Sequence, residues 1–332
     1  MRSGSTWLAI LVCLLLGEPR HVAAAPRAVS LVQLAGHDYL SLTDWADVHG
    51  YEVRWLKRDE TLQLANRSSR MLFTLDSKEA HVNGVQVWLC LPLLHRNGQA
   101  YLSELDLHAT LEPLVASPKS RRVPGIRTVC LDPGHGGKDS GNRVGLNQEK
   151  IYTLLLAEEL QRQLRQAGLR VTLTRSGDQF VELPARPALA KRRGADLFVS
   201  LHFNSAEASR ESVRGAEVYC LSPAGADSTN AGDEFGENGW FAGNRCNASN
   251  LRLAFEVQKA LTQKLQIEDR GVRRARFWVL RDALMPAVLV EAGFMSHPEE
   301  GKKIFTGAYR RQMARAITQG LLAYKHLVER RG

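Results

Sequence analysis

The stretch Ile126-Arg-Thr-Val-Cys-Leu-Asp-Pro-Gly-His-Gly-Gly137 joins a run of strand-forming residues to a glycine-rich turn, and a histidine stands at the join. Ile126 to Asp132 is apolar enough for a buried strand. Beyond the turn, Glu149 to Ala167 carries Ile151, Leu154, Leu155, Leu160 and Leu164 at helical spacing, and Gly168 supplies a stop. Leu169 to Thr174 then reads as a strand, Pro187 to Arg193 as a short helix, and Asp196 to Phe203 as a second buried strand. Gly215 to Leu221, Phe277 to Leu280 and Ala287 to Val290 continue the strand pattern, with helices from Ser249 to Leu265 and Ala308 to Glu329. This alternation predicts an α/β fold over 126–330: a twisted, mostly parallel or mixed sheet with helices on both faces.

Upstream, residues 28–115 read as a small α+β module. Thr61 to Leu64, Met71 to Leu75 and Val85 to Leu89 are strand-like, and Asn83-Gly84 marks a tight turn. Ser41 to Gly50 reads as a short capped helix, and a related pattern returns at Tyr101-Leu-Ser-Glu-Leu-Asp-Leu. Residues 116–125 are rich in proline, glycine and charge, as domain joints are. Residues 1–25 have the plan of a removable export signal: Arg2, an apolar run from Leu8 to Leu16 too short to span a bilayer, then Val22-Ala-Ala-Ala25 with a cut after Ala24. No later stretch looks transmembrane. The expected location is the periplasm or the outside of the cell.

With 44% hydrophobic residues among 332, the chain can bury a core and is not globally disordered. The net charge of +9 favours anionic partners. Its basic residues are scattered in pairs such as Arg121-Arg122 and Arg310-Arg311, without a nucleic-acid-binding motif, so nucleic acid is not expected. Cys90, Cys130, Cys220 and Cys246 remain after export. They show no metal-binding pair, and a Cys220–Cys246 bridge is left open.

His135 alone is weak evidence, since a turn histidine is often bonded to a neighbouring carbonyl. It does not stand alone. His202 ends a buried strand in Ser200-Leu-His-Phe-Asn204, Glu149 opens the first long helix, and Glu291 ends the apolar run Val288-Leu-Val-Glu291. The crevice beyond the carboxyl ends of such strands is where open α/β sheets bind ligands. Glu149 at a helix start also suits the macrodipole, but Glu291 at a strand end is costly unless paired, metal-bound or solvated. Two histidines and one glutamate make a hydrolytic zinc set with one position open for water, leaving a second glutamate as base.

These motifs resemble the catalytic domain of zinc-dependent N-acetylmuramoyl-L-alanine amidases, the amidase-3 family. The matching blocks are Asp132-Pro-Gly-His-Gly-Gly-Lys-Asp139, Glu149-Lys150, Ser200 to Asn204, and Val288 to Glu300. Thr174-Arg175 followed by Arg186, and Arg270-Gly-Val-Arg-Arg274 before Leu280-Arg-Asp282, fit as well. The resemblance implies Zn²⁺ held by His135, Glu149 and His202, with Glu291 as the catalytic carboxylate. Peptidoglycan is the implied substrate, cut between N-acetylmuramic acid and L-alanine. Arg281 and Asn204 are candidate substrate-binding residues, Arg281 either toward a stem-peptide carboxylate or, equally, in a surface ion pair. Ser140 and His297 depart from the family pattern, and His297 is expected at the rim. The module at 28–115 resembles the small domain named from the N-terminus of copper amine oxidases and is expected to be a spacer or wall-binding unit. Its histidines (His37, His49, His81, His95, His108) are read as surface residues.

The glycine-rich segment 223–248 is read as a wall of the substrate groove. Its Asp233, Glu234 and Glu237 raise the alternative of an inhibitory cap on the metal. A monomer is expected, with an activator protein left open. Two rival functions differ in what they release. A zinc carboxypeptidase acting on stem peptides frees single residues; a wall-binding protein without activity frees nothing and need not keep all four site residues.

Overall fold

The computed structural model describes residues 29–115, 125–229 and 239–329. The expected export signal, most of the linker, and Asp233, Glu234 and Glu237 fall outside them.

The first module begins with the hairpin β1 (Leu31–Leu34) and β2 (His37–Ser41), then α1 (Leu42–Val48). Ser41 caps this helix, its Oγ accepting the Asp44 N–H at 3.2 Å. A meander follows: β3 (Glu52–Lys57), β4 (Thr61–Ala65), β5 (Arg70–Thr74), β6 (Ser77–Val82), the long β7 (Val85–Arg96) and β8 (Gln99–Ser103). The repeated serine pattern is a second cap. Ser103 accepts from the Asp106 N–H at 3.0 Å at the start of α2 (Glu104–Asp106), which runs through a π-helical turn into α3 (Glu112–Val115).

The second part opens with β9 (Thr128–Pro133), the short hairpin β10 (Arg143–Val144) and β11 (Asn147–Gln148), and α4 (Glu149–Gln166). Next come β12 (Arg170–Leu173), α5 (Ala185–Arg192), β13 (Leu197–Asn204), β14 (Ala216–Leu221) and α6 (Asn247–Leu265). The chain continues through β15 (Asp269–Ala275), α7 (Trp278–Arg281), β16 (Ala287–Phe294), α8 (Pro298–Ile304) and α9 (Gly307–Glu329). β12, β9, β13 and β16 are parallel neighbours in that order. β14 runs antiparallel to β16, and β15 parallel to β14. The sheet is thus mixed, and α4, α6 and α9 pack together on one face. The other face carries the short α5 and α7 over a smaller core around Phe198, Tyr219 and Leu289.

Two elements depart from expectation. Phe277 to Leu280, read as a strand, lies instead in and beside α7, because four apolar residues do not distinguish a strand from a helical turn. The strand itself is the polar β15, whose Arg270, Arg273 and Arg274 hide it from any hydrophobic pattern.

The first module joins the sheet of the second part. Val87 of β7 pairs in parallel with Val272 of β15, so both parts share one 14-stranded sheet. One apolar core runs from Leu42 and Leu62 through Val87 and Val272 to Val199 and Ile317. Fully buried Arg274 reaches across the seam, donating to the Ala109 carbonyl at 2.8 Å and Thr110 Oγ1 at 3.0 Å. The four cysteines are free thiols. Cys220 faces the Arg274 guanidinium at 3.7 Å rather than Cys246.

Candidate active site

Parallel strands set the stage. Their carboxyl ends share one edge, and the turn after β9 lies there, tied by Gly134 N–H to the Leu201 carbonyl at 3.0 Å. His135 has a left-handed backbone, φ 62°, which costs a non-glycine residue energy that its surroundings must offset. Two arginines do so. Arg186 donates to the Pro133 and His135 carbonyls, each at 3.0 Å, and pairs with fully buried Asp132 at 2.8 Å. Arg175 donates to the carbonyls of Pro133 at 3.0 Å and Gly134 at 2.8 Å. Asp132 also accepts from Thr174 and Ser200, so this buried carboxylate is fully engaged.

Glu149, the first residue of α4, is 1% exposed and lies between the histidines. Its Oε2 is 3.1 Å from His135 Nε2 and its Oε1 is 3.0 Å from His202 Nδ1. The Asn142 and Phe203 N–H groups hold the same two oxygens. Burial alone would raise this carboxyl, but its contacts with His135 and His202 override that and hold it well below the usual range. Burial likewise draws His135 down, and Glu149 and Asp139 more than reverse it. Asp139 meets His135 Nδ1 at 2.8 Å, leaving Nε2 turned toward Glu149. Burial opposes ionisation of Asp139, yet the Gly141 N–H and His135 hold it low.

The candidate ligand atoms of His135, Glu149 and His202 all lie within 4.8 Å of one another, the one such group among the described residues. Glycine makes room for them. A Cβ on Gly134 would stand 2.3 Å from the His202 ring, and one on Gly141 2.6 Å from Glu149 Oε2. Two imidazoles and an ionised carboxylate so placed fit a zinc ion.

Glu291 lies one strand from His202, directly opposite it in register. Its Oε2 is shielded from solvent and meets no hydrogen-bond donor. Burial pushes this carboxyl well above the ordinary range, and the negative charges of Glu149 and Glu217 push it further. An orphaned carboxylate oxygen beside a ligand set is what a water or substrate group would satisfy.

The remaining expectations divide. Asn204 lies at this edge, its amide donating to Glu217 at 2.9 Å. Arg281 does not. It follows β15, which, like β14, runs away from the cluster. There Arg281 is stacked between Phe241 and Trp278, with ring centroids 4.1 and 4.2 Å away. Of the segment 223–248, the described residues 223–229 leave β14 at the far edge, where Arg276 bonds the Pro223 and Ala226 carbonyls. His297 is buried rather than at a rim. It caps α8, Nδ1 accepting from the Glu299 and Glu300 N–H groups at 3.2 Å. Asp139 and Glu217 had been assigned no role. Asp139 was legible as an acid four residues after a candidate ligand, whereas nothing in the sequence marked Glu217.

Residues 129–323 match the family model described as N-acetylmuramoyl-L-alanine amidase, and residues 23–115 match the copper amine oxidase N-terminal domain. N-acetylmuramoyl-L-alanine amidase AmiA of Escherichia coli is 33% identical over 241 residues, covering 64% of this chain and 80% of that protein. Among solved structures, amidase AmiC2 of Nostoc punctiforme is 36% identical with a TM-score of 0.51, covering 61% of this chain and 98% of that one. An N-acetylmuramoyl-L-alanine amidase of Clostridium difficile is 32% identical with a TM-score of 0.50, covering 60% and 97%. Fold, cluster and relatives define a hydrolase of amide bonds in the cell wall. The chain belongs to the N-acetylmuramoyl-L-alanine amidase family, and it cuts the bond between N-acetylmuramic acid and L-alanine in peptidoglycan.

Proposed function

We propose that this amidase works with zinc held by His135, Glu149 and His202, and that Glu291 is its proton-transferring carboxylate. The observation that carries the reading is the convergence of three ligand atoms within 4.8 Å beside a carboxylate oxygen without a donor. Zinc, when bound, supplies an acidified water near neutral pH and polarises a carbonyl oxygen. Glu291 takes the proton of the attacking water on Oε2. It later hands that proton to the leaving amine of L-alanine, so that the amine departs neutral. A carboxyl raised by burial suits both transfers near neutral pH. Asp139 fixes the His135 ring through Nδ1, and Arg175 and Arg186 hold the turn that carries it.

The leader-like residues 1–25 support export to the periplasm or beyond, which is where the substrate lies. Among the described residues no helix is long and apolar enough to cross a membrane.

The test is metal content and wall hydrolysis of the full chain beside His135→Ala. About one zinc per protein that is lost with activity in the variant supports the proposal. A variant that keeps both removes His135 from the set.

A further inference from the structure

Beyond the cluster, a polar row crosses four more strands of the sheet. From His202 on β13 it passes to Glu291 on β16, Glu217 on β14, Arg270 and Arg273 on β15, and Trp88 on β7. Register makes these neighbours: Glu217 stands opposite Glu291, and Tyr219 opposite Arg273. Glu217 is 3% exposed and pairs with both arginines, Arg270 Nε at 3.0 Å and Arg273 Nε at 2.9 Å. It also accepts from Asn204 and Tyr219. One carboxylate is thus shared by two guanidinium groups, and the group keeps a net positive charge.

The arginines are held firmly and remain partly open to solvent. Arg270 lies 4.9 Å over the Phe294 ring at the end of β16, and its side chain is 24% exposed. Arg273 lies 4.7 Å over Trp88, whose Nε1 donates to the Arg270 carbonyl at 3.0 Å. Arg270 spends its Nε–H on Glu217 and stacks on a ring, and its terminal amino groups are still donors for a planar anion.

Resting on the amidase reading, we propose that Arg270, supported by Arg273, is the subsite for a carboxylate of the stem peptide, with Trp88 of the N-terminal module as its backing. Spacing selects which carboxylate. Arg270 is two strands from Glu291, roughly 10 Å at ~4.8 Å per strand. An extended peptide covers that in about three residues at ~3.3–3.6 Å each, so the carboxylate belongs to the second or third residue after the cut. This is the role the sequence suggested for Arg281, transferred to an arginine at the correct edge of the sheet.

The experiment compares kcat and KM of the full chain on two soluble muramyl peptides, one with free stem carboxylates and one with them amidated. For the natural protein, amidation is expected to lower kcat/KM about ten- to a hundredfold, mainly through KM, the loss of one charge-assisted contact. Arg270→Gln should no longer distinguish the two substrates, and Arg270→Lys should recover part of the difference. Equal rates of the natural protein on both substrates would overturn the subsite, and that comparison depends on no variant folding. So would an Arg270→Gln protein that still discriminates, or one whose kcat falls equally on both. If neither substrate were cut, the amidase assignment itself would fall.

Discussion

Glu291 and Asp139 sit within reach of the same chemistry but act on different quantities. Glu291→Gln preserves shape and removes the proposed proton acceptor, so turnover is expected to fall about 10²–10⁴-fold while zinc content is unchanged. A near-normal rate would remove Glu291 from the mechanism. Asp139→Ala frees His135 to rotate, and zinc affinity in a competition titration should weaken about 10- to 100-fold. Unchanged affinity would reduce Asp139 to a turn residue. At this scale the four main side chains were legible through their convergence at strand ends, a turn and a helix start, since each taken alone has an ordinary reading, as Glu149 has in the helix dipole. Glu217 was invisible by the same logic: it begins a strand in the unremarkable run Ala216-Glu-Val-Tyr-Cys220, and only its partners on β15 give it meaning.

The turn after β9 is the element on which the cluster depends, and it is held by buried charge rather than by local preference. Arg186 and Asp132 are 2% and 0% exposed. Removing one member of such a pair strands the other without solvent. Arg186→Met is therefore expected to cost about 3–5 kcal/mol of stability, read as a shifted denaturant midpoint. A change below about 1 kcal/mol, the scale of exposed pairs, would contradict the assigned geometry. Element by element, the long helices were legible from apolar spacing, and α4 begins at Glu149 as read. β15 was not, because its side chains satisfy partners that come from β14 and from the other module. Such a strand has no apolar signature to read, and Phe277-Trp-Val-Leu280 was taken in its place.

On the scale of the whole molecule, the sequence reads as two domains, 28–115 and 126–330, joined by 116–125. The shared sheet and the Arg274 seam bind them into one core. A chain starting at residue 125 would expose the β15 edge, which invites aggregation, and leave Arg274 without Ala109 and Thr110. It is expected to melt lower than the full chain or to aggregate; an unchanged melting temperature with a soluble monomer would show that the seam adds nothing. No single-sequence pattern reveals such docking, because the residues that make it, such as Val87, Ala109 and Val272, look like ordinary core positions of their own halves.

Metal-dependent cleavage at the first stem residue is the central claim of the proposed function. Its most direct test is digestion of purified peptidoglycan by the mature protein, with and without a zinc chelator, followed by mass analysis of the released fragments. The account predicts intact stem peptides beginning with L-alanine, lost with chelator and restored by added zinc. Release that persists undiminished in chelator, or fragments cut within the peptide, would contradict it.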